Sequence, residues 1–273
     1  MAPISFRSLL LALAAVPLLP LAALAAMGLW AEEPHVGVRL IASIDDTGVP
    51  RAAIEIALDP GWKTYWRVPG EGGLAPTFDF SGSVNVASAT VGFPAPRRYD
   101  DGVSITNVYE DRVILPVAVE PAVGGAPITL RVAMELGVCE TICIPMRLEA
   151  EVALAPNDFD PQVASIIQLA AARLPGPPRE RVFAVDRLVR LGEGALVGFT
   201  ATLTAPRPQA ELFVEAPEGW YPMTAYRIAA HGDRVTFAFM LERLEDDAVL
   251  VGEALRLTVA SGREAIEQTL VVE

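Results

Sequence analysis

Histidine is nearly absent from this 273-residue chain: there are two, His35 and His231, far apart in sequence. A histidine-based metal site or a Ser/His/Asp triad therefore has little to build from, and most hydrolytic chemistry is disfavoured. Positive charge is also scarce, with 21 Lys and Arg against 34 Asp and Glu and a formal net charge of -13. That balance argues against nucleic acid or anionic lipid as the main partner. Beyond the N-terminus no apolar run approaches the roughly 20 residues that cross a bilayer, because charges, Pro or Gly cut every one. Cysteine is limited to Cys139 and Cys143.

What is present is apolar material, 52% of the chain, enough for two cores of ordinary size. Residues 1–26 have the parts of a secretory signal peptide: Arg7, an apolar run from Leu9 to Leu24, and small residues at Ala23-Leu24-Ala25. Removing them shifts the formal charge to -14, and an uncleaved anchor reaching Trp30 is the alternative. Export implies a periplasmic location in an oxidising compartment, where two cysteines four positions apart are expected to pair.

From Val36 onward short alternating segments are broken by Pro, Gly and Asp, the pattern of β-sandwiches. Strands are expected at 36–45, 51–58, 84–92, 112–120, 127–138 and 143–154. The stretch Asp59 to Gly82, with Trp62, Tyr65 and Trp66 among several Gly and Pro, reads as a long irregular loop. Asp160-Pro161 opens a helical pattern through Leu174 with Val163, Ile166, Ile167 and Ala170 on one face, and Pro175-Gly176-Pro177-Pro178 follows as a linker. Alternating strands return over 181–273. The expected fold is all-β: two immunoglobulin-like β-sandwich domains, at 32–155 and 181–273, joined by a short helix and Pro-rich linker at 156–180.

A three-residue hairpin loop, Glu140 to Ile142, sets Cys139 opposite Cys143 and makes a testable register. One face then collects Val138 with Ile144, Leu136 with Met146, Met134 with Leu148, Val132 with Ala150, Leu130 with Val152 and Ile128 with Leu154. The other face collects the cysteines, Gly137 with Pro145, Glu135 with Arg147, Ala133 with Glu149 and Arg131 with Glu151. A slip of one residue would set core residues against solvent-facing ones, so burial holds the register. Directly opposed Cβ atoms lie about 4.5 to 5.5 Å apart, a little beyond the roughly 3.5 to 4.5 Å of a disulfide, and a local twist closes the gap. In this register the pair falls on the face opposite the apolar stripe, where a partner thiolate can reach it, and Gly137 and Pro145 let an incoming backbone approach. Three readings stay open at this point: a redox pair, a structural bridge pinning the hairpin, and a Cu(I) site that adds Met134 or Met146.

The segments Gly61-Trp-Lys-Thr-Tyr-Trp-Arg-Val-Pro-Gly70, Gly73-Leu-Ala-Pro-Thr-Phe78, Phe93-Pro-Ala-Pro96, Leu115-Pro116-Val117 and Val138-Cys-Glu-Thr-Ile-Cys-Ile-Pro145 resemble the periplasmic N-terminal domain of the DsbD/ScsB family of protein-disulfide reductases. The likeness covers about residues 35–155; longer members carry a second β domain compatible with 181–273. It implies an immunoglobulin-like sandwich whose cysteine pair relays electrons to periplasmic thiol–disulfide proteins, with Cys139 and Cys143 as catalytic residues and no cofactor or metal. By analogy Cys143 forms the mixed disulfide. The wider cysteine spacing of the enterobacterial domain bars transfer of its neighbouring residues, so only the two cysteines are carried over. Tyr65 or Trp66 either shields the pair or plugs the core, and Tyr109 has the same two readings. The sequence holds no multi-span region and no second cysteine pair, so the expected partners are a separately encoded membrane thiol–disulfide reductase and thioredoxin-like periplasmic proteins. Whether a client serves cytochrome c maturation, disulfide isomerisation or metal-stress defence is left open. The competing function is a non-catalytic envelope binding module with a structural disulfide.

Overall fold

The computed structural model describes residues 27–273. The expected signal peptide, 1–26, lies outside the described residues. The N-terminal half contains β1 (Ala31–Glu33), β2 (Val36–Ile44), β3 (Pro50–Leu58), β4 (Lys63–Gly70), β5 (Thr77–Asp79), β6 (Val86–Val91), β7 (Arg97–Asp100), β8 (Ile105–Glu110), β9 (Arg112–Pro121), β10 (Ile128–Cys139) and β11 (Cys143–Leu154). Helix α1 (Pro161–Ala171) follows. The C-terminal half contains β12 (Ala184–Leu191), β13 (Leu196–Thr204), β14 (Glu211–Glu215), β15 (Trp220–Pro222), β16 (Tyr226–His231), β17 (Arg234–Arg243), β18 (Ala254–Ser261) and β19 (Glu264–Val271). No helix among the described residues is long and apolar enough to cross a membrane.

Four sheets pack in a sandwich-like arrangement. In the N-terminal half one sheet has the order β1-β2-β3-β9-β6 and the other β11-β10-β4-β8-β7, with β5 also pairing with β10. Between them lies a core that includes Leu40, Ile54, Trp66, Leu115, Leu130, Leu136 and Leu148. The C-terminal half stacks β12-β13-β17-β15, with β16 on β17, against β14-β18-β19 around Phe183, Phe199, Phe237, Leu241 and Leu257.

The expected strands appear within two residues of their bounds, but Asp59 to Gly82 is not an irregular loop. It holds β4 and β5, and β4 is a central strand between β10 and β8. Alternation fails to reveal β4 because Lys63, Thr64, Tyr65 and Trp66 are all buried: the strand is covered on both faces.

Helix α1 starts where the Asp160 side chain accepts from the amides of Gln162 and Val163, with Pro161 at the first helical position. Val163 and Ile167 pack on Ile41 and Ala53, the outer face of the first sheet, and the Asp160 amide donates to Ser43 Oγ at 3.1 Å. The chain after it stays bound, since Gly176 pairs with Ile266 and exchanges backbone hydrogen bonds of 2.9 Å with Ala265 and Glu267.

The two halves share side chains. Along β14, Leu212 and Val214 enter the C-terminal core, whereas Phe213 points the other way into the N-terminal core. There its ring meets Trp66 edge-on at a centroid distance of 5.7 Å. Arg67 donates to both carboxylate oxygens of Glu215, at 2.5 and 3.0 Å, and also pairs with Glu267. Arg98 donates to the carbonyls of Ala225 (2.8 Å) and Leu212 (2.9 Å), and the Tyr221 hydroxyl to the carbonyl of Gly70 (2.6 Å).

Candidate functional site

The β10–β11 hairpin pairs in the register derived from its alternation, from Ile128 opposite Leu154 to Cys139 opposite Cys143. Arg147 binds Glu135 at 2.6 Å and Arg131 binds Glu151, the two cross-strand charge pairs of the outer face. Cys139 and Cys143 form a disulfide at the hairpin end, their Cα atoms 4.2 Å apart.

The surroundings of the pair depart from expectation and set the two sulfurs in different environments. Cys143 is exposed, as are Ile142 at 75% and Ile144 at 37%; Ile144 was expected in the core. Ile144 lies next to the hairpin loop and is left only partly covered. Cys139, expected on an open face, is only 1% exposed. It belongs to a small apolar cluster with Tyr65 and Val108, against which Tyr99 packs, on the side of the sheet opposite the main core.

Tyr65 is the cover. Its hydroxyl lies 2.9 Å from Cys143 Sγ and 3.1 Å from Cys139 Sγ, and the disulfide form leaves the phenol as the only donor in that contact. Burial, with help from the charge of Asp101, raises the Tyr65 phenol above its ordinary value, so it remains protonated at neutral pH. The ring sits between two glycines. A Cβ on Gly73 would fall 2.3 Å from the ring and one on Gly137 would fall 2.9 Å from it. Gly137 therefore makes room for Tyr65, and not for an incoming backbone as the hairpin alone implied. Gly73, at φ 105°, also takes a backbone conformation that side chains disfavour.

The other aromatics divide cleanly. Trp66 is fully buried and plugs the main core. Tyr109 is a core residue too; its hydroxyl donates to the Pro94 carbonyl at 2.6 Å, and burial pushes its phenol well above its ordinary value, with the Arg67 charge opposing. Trp62 stacks on His35, with centroids 3.9 Å apart and rings 5° from parallel.

Lys63 went unnoticed in the sequence. It opens β4 as the Cα partner of Cys139, is 6% exposed, donates from Nζ to the Glu140 carbonyl at 2.7 Å, and lies 4.1 Å from the Tyr99 ring centroid. Only the pairing of β4 with β10 brings it to the cysteines, and that pairing was hidden with β4 itself. Met134 and Met146 are buried in the main core, away from the cysteine cluster, and among the described residues no group of three His, Cys, Asp or Glu is placed to hold a metal. A thiolate–thioether Cu(I) site is not assembled by these contacts.

Comparison with known proteins bears on the same segment. No curated protein sequence matches the chain. Residues 38–154 match the family model described as thiol:disulfide interchange protein DsbD, N-terminal. Among solved structures, the crystal structure of the N-terminal periplasmic domain of ScsB from Proteus mirabilis is similar, with a TM-score of 0.72 and 22% identity over 91% of this chain and 98% of that one. At this identity the likeness speaks to fold, and it extends over both halves. The matched residues 38–154, which are similar to the DsbD N-terminal family, contain the opposed pair Cys139 and Cys143.

Proposed function

We propose that this protein performs thiol–disulfide interchange in the periplasm, with Cys139 and Cys143 as its catalytic residues. It acts as one station relaying electrons between a membrane reductase and thioredoxin-like envelope proteins. The observation that carries the reading is the asymmetry of the pair: Cys143 is exposed and Cys139 buried. A partner thiolate can reach only the first sulfur. Attack there forms a mixed disulfide through Cys143 and expels Cys139 as a thiolate, with the Tyr65 hydroxyl placed to donate to either sulfur. Run in reverse, Cys143 of the reduced pair attacks a client disulfide and Cys139 resolves the mixed disulfide. The redox unit we assign is 32–155, with 156–180 as connecting helix and linker and 181–273 as a second immunoglobulin-like unit.

The test is trapping. In Cys139→Ala a thioredoxin-like partner should accumulate as a mixed disulfide on Cys143, while Cys143→Ala should give no adduct and no client reduction. Retention of transfer by both single variants would defeat the proposal. A non-catalytic module with a structural bridge would instead show a reduction potential below about -300 mV, against a value near about -200 mV for a relay.

A further inference from the structure

Among the described residues, no carboxylate lies within ion-pair distance of the buried Lys63. A buried ammonium is costly unless paired, and buried lysines are ordinarily matched by a carboxylate. Here the ammonium has a carbonyl, Glu140 O at 2.7 Å, and an aromatic face, Tyr99 at 4.1 Å. The acid opposite it on β8, Glu110, is engaged by Arg97 at 2.5 Å. The other charges around the cysteine are similarly occupied or turned away. Glu140 in the hairpin loop is exposed, the Asp101 carboxylate accepts from the amides of Val103 and Ser104, and Arg147 on β11 is bound to Glu135. Tyr65 and Tyr99 are the remaining titratable side chains against Cys139, and neither is a carboxylate.

The neighbouring group that can take up a negative charge once the disulfide opens is Cys139. Cys139 and Lys63 are Cα partners on adjacent strands, so their side chains leave the same face of the sheet, and Nζ reaches the carbonyl of the residue that follows Cys139. We infer that Lys63 supplies the fixed positive charge that stabilises Cys139 as a thiolate. Its use rests on the interchange reading, whereas its test does not. The step balances as follows. One thiolate of a dithiol partner bonds to Cys143 Sγ while the Cys139–Cys143 bond breaks, and the electron pair of that bond departs on Cys139 sulfur. The partner's second thiol passes its proton to Cys143 as its sulfur displaces that cysteine. The products are the partner's disulfide, the Cys143 thiol and a Cys139 thiolate facing Lys63. A leaving thiolate of lower pKa departs faster, so Lys63 promotes opening of the buried side of the bond.

The measurement uses the full chain carrying Cys143→Ala, in which Cys139 is the only thiol, and follows thiolate absorbance in the ultraviolet against pH. Adding Lys63→Met should raise the Cys139 pKa by about one unit, a tenfold loss of thiolate below that pKa, and Lys63→Arg should restore it. Lys63→Gln keeps a donor for Glu140 and removes the charge; it should show the same rise. An unchanged titration in Lys63→Met, or a rise in Met that Gln does not share, overturns the inference. With both cysteines present, Lys63→Met should make the pair about tenfold harder to reduce in glutathione buffers. If the unmodified pair cannot be reduced at all by a dithiol, the interchange reading fails, and the titration of Cys139 still judges Lys63.

Discussion

At the scale of single residues, the site depends on side chains that are missing as much as on those present. Gly137 is not among the positive-φ glycines, so its lack of a Cβ serves close packing, by the Tyr65 ring and Leu74, and not backbone conformation. Gly137→Ala should leave the hairpin paired but push the Tyr65 hydroxyl off the sulfurs, and we expect the disulfide to be reduced by dithiothreitol several-fold faster, on the order of 3- to 10-fold if one protecting contact is lost. Stopped-flow reduction followed by Tyr or Trp fluorescence would measure it; an unchanged rate would show that the phenol does not guard the pair. The cysteine register was legible beforehand because two faces of one hairpin constrained it independently. The Tyr65 cover was not, since its contacts join residues 65, 73 and 137, and nothing local to any of them announces the others.

Strands and turns show the same division between what is local and what is not. From Met146 to Leu154 burial alternates strictly along β11, and that periodicity could be read directly. Strand β4 could not, because burial on both faces erases the period of two that a half-exposed strand displays. The turn between β2 and β3 offers a check on how local chemistry sets strand pairing. The Asp45 carboxylate accepts from the Thr47 hydroxyl at 2.6 Å, the amides of Thr47 and Val49 at 2.9 Å, and Arg51 at 3.0 Å. Led by the Thr47 hydroxyl, these bonds lower its pKa from 3.8 to about 2. Because the folded value is depressed, the stabilisation is fully present above the unfolded value near 3.8 and is lost as pH falls through about 2. Protection of the Thr47 and Val49 amides, measured against their intrinsic exchange rates, should therefore hold at pH 4 and fall towards pH 2, and Asp45→Asn should remove that change in protection.

Across the whole molecule, alternating strands on either side of 156–180 could be read from the sequence pattern, yet how the two halves meet could not. The continuous burial of Leu212, Phe213 and Val214 marks a strand covered on both faces, a pattern that sequence alone cannot distinguish from an ordinary apolar run. Phe213 occupies the other half's core, so Phe213→Ala should cost about 3 to 5 kcal/mol in denaturant unfolding, the price of a large cavity. A loss near zero would show that the halves fold without it. The shared ring also governs how the two halves could be separated. A chain cut after Leu174 would carry an open, Trp66-lined socket where Phe213 belongs, and its exposed apolar wall would drive self-association. Autonomy of the cysteine-bearing unit is thus limited in its core by an aromatic residue supplied from elsewhere in the gene, so recombination that transplants this unit must bring along a filler for that hole.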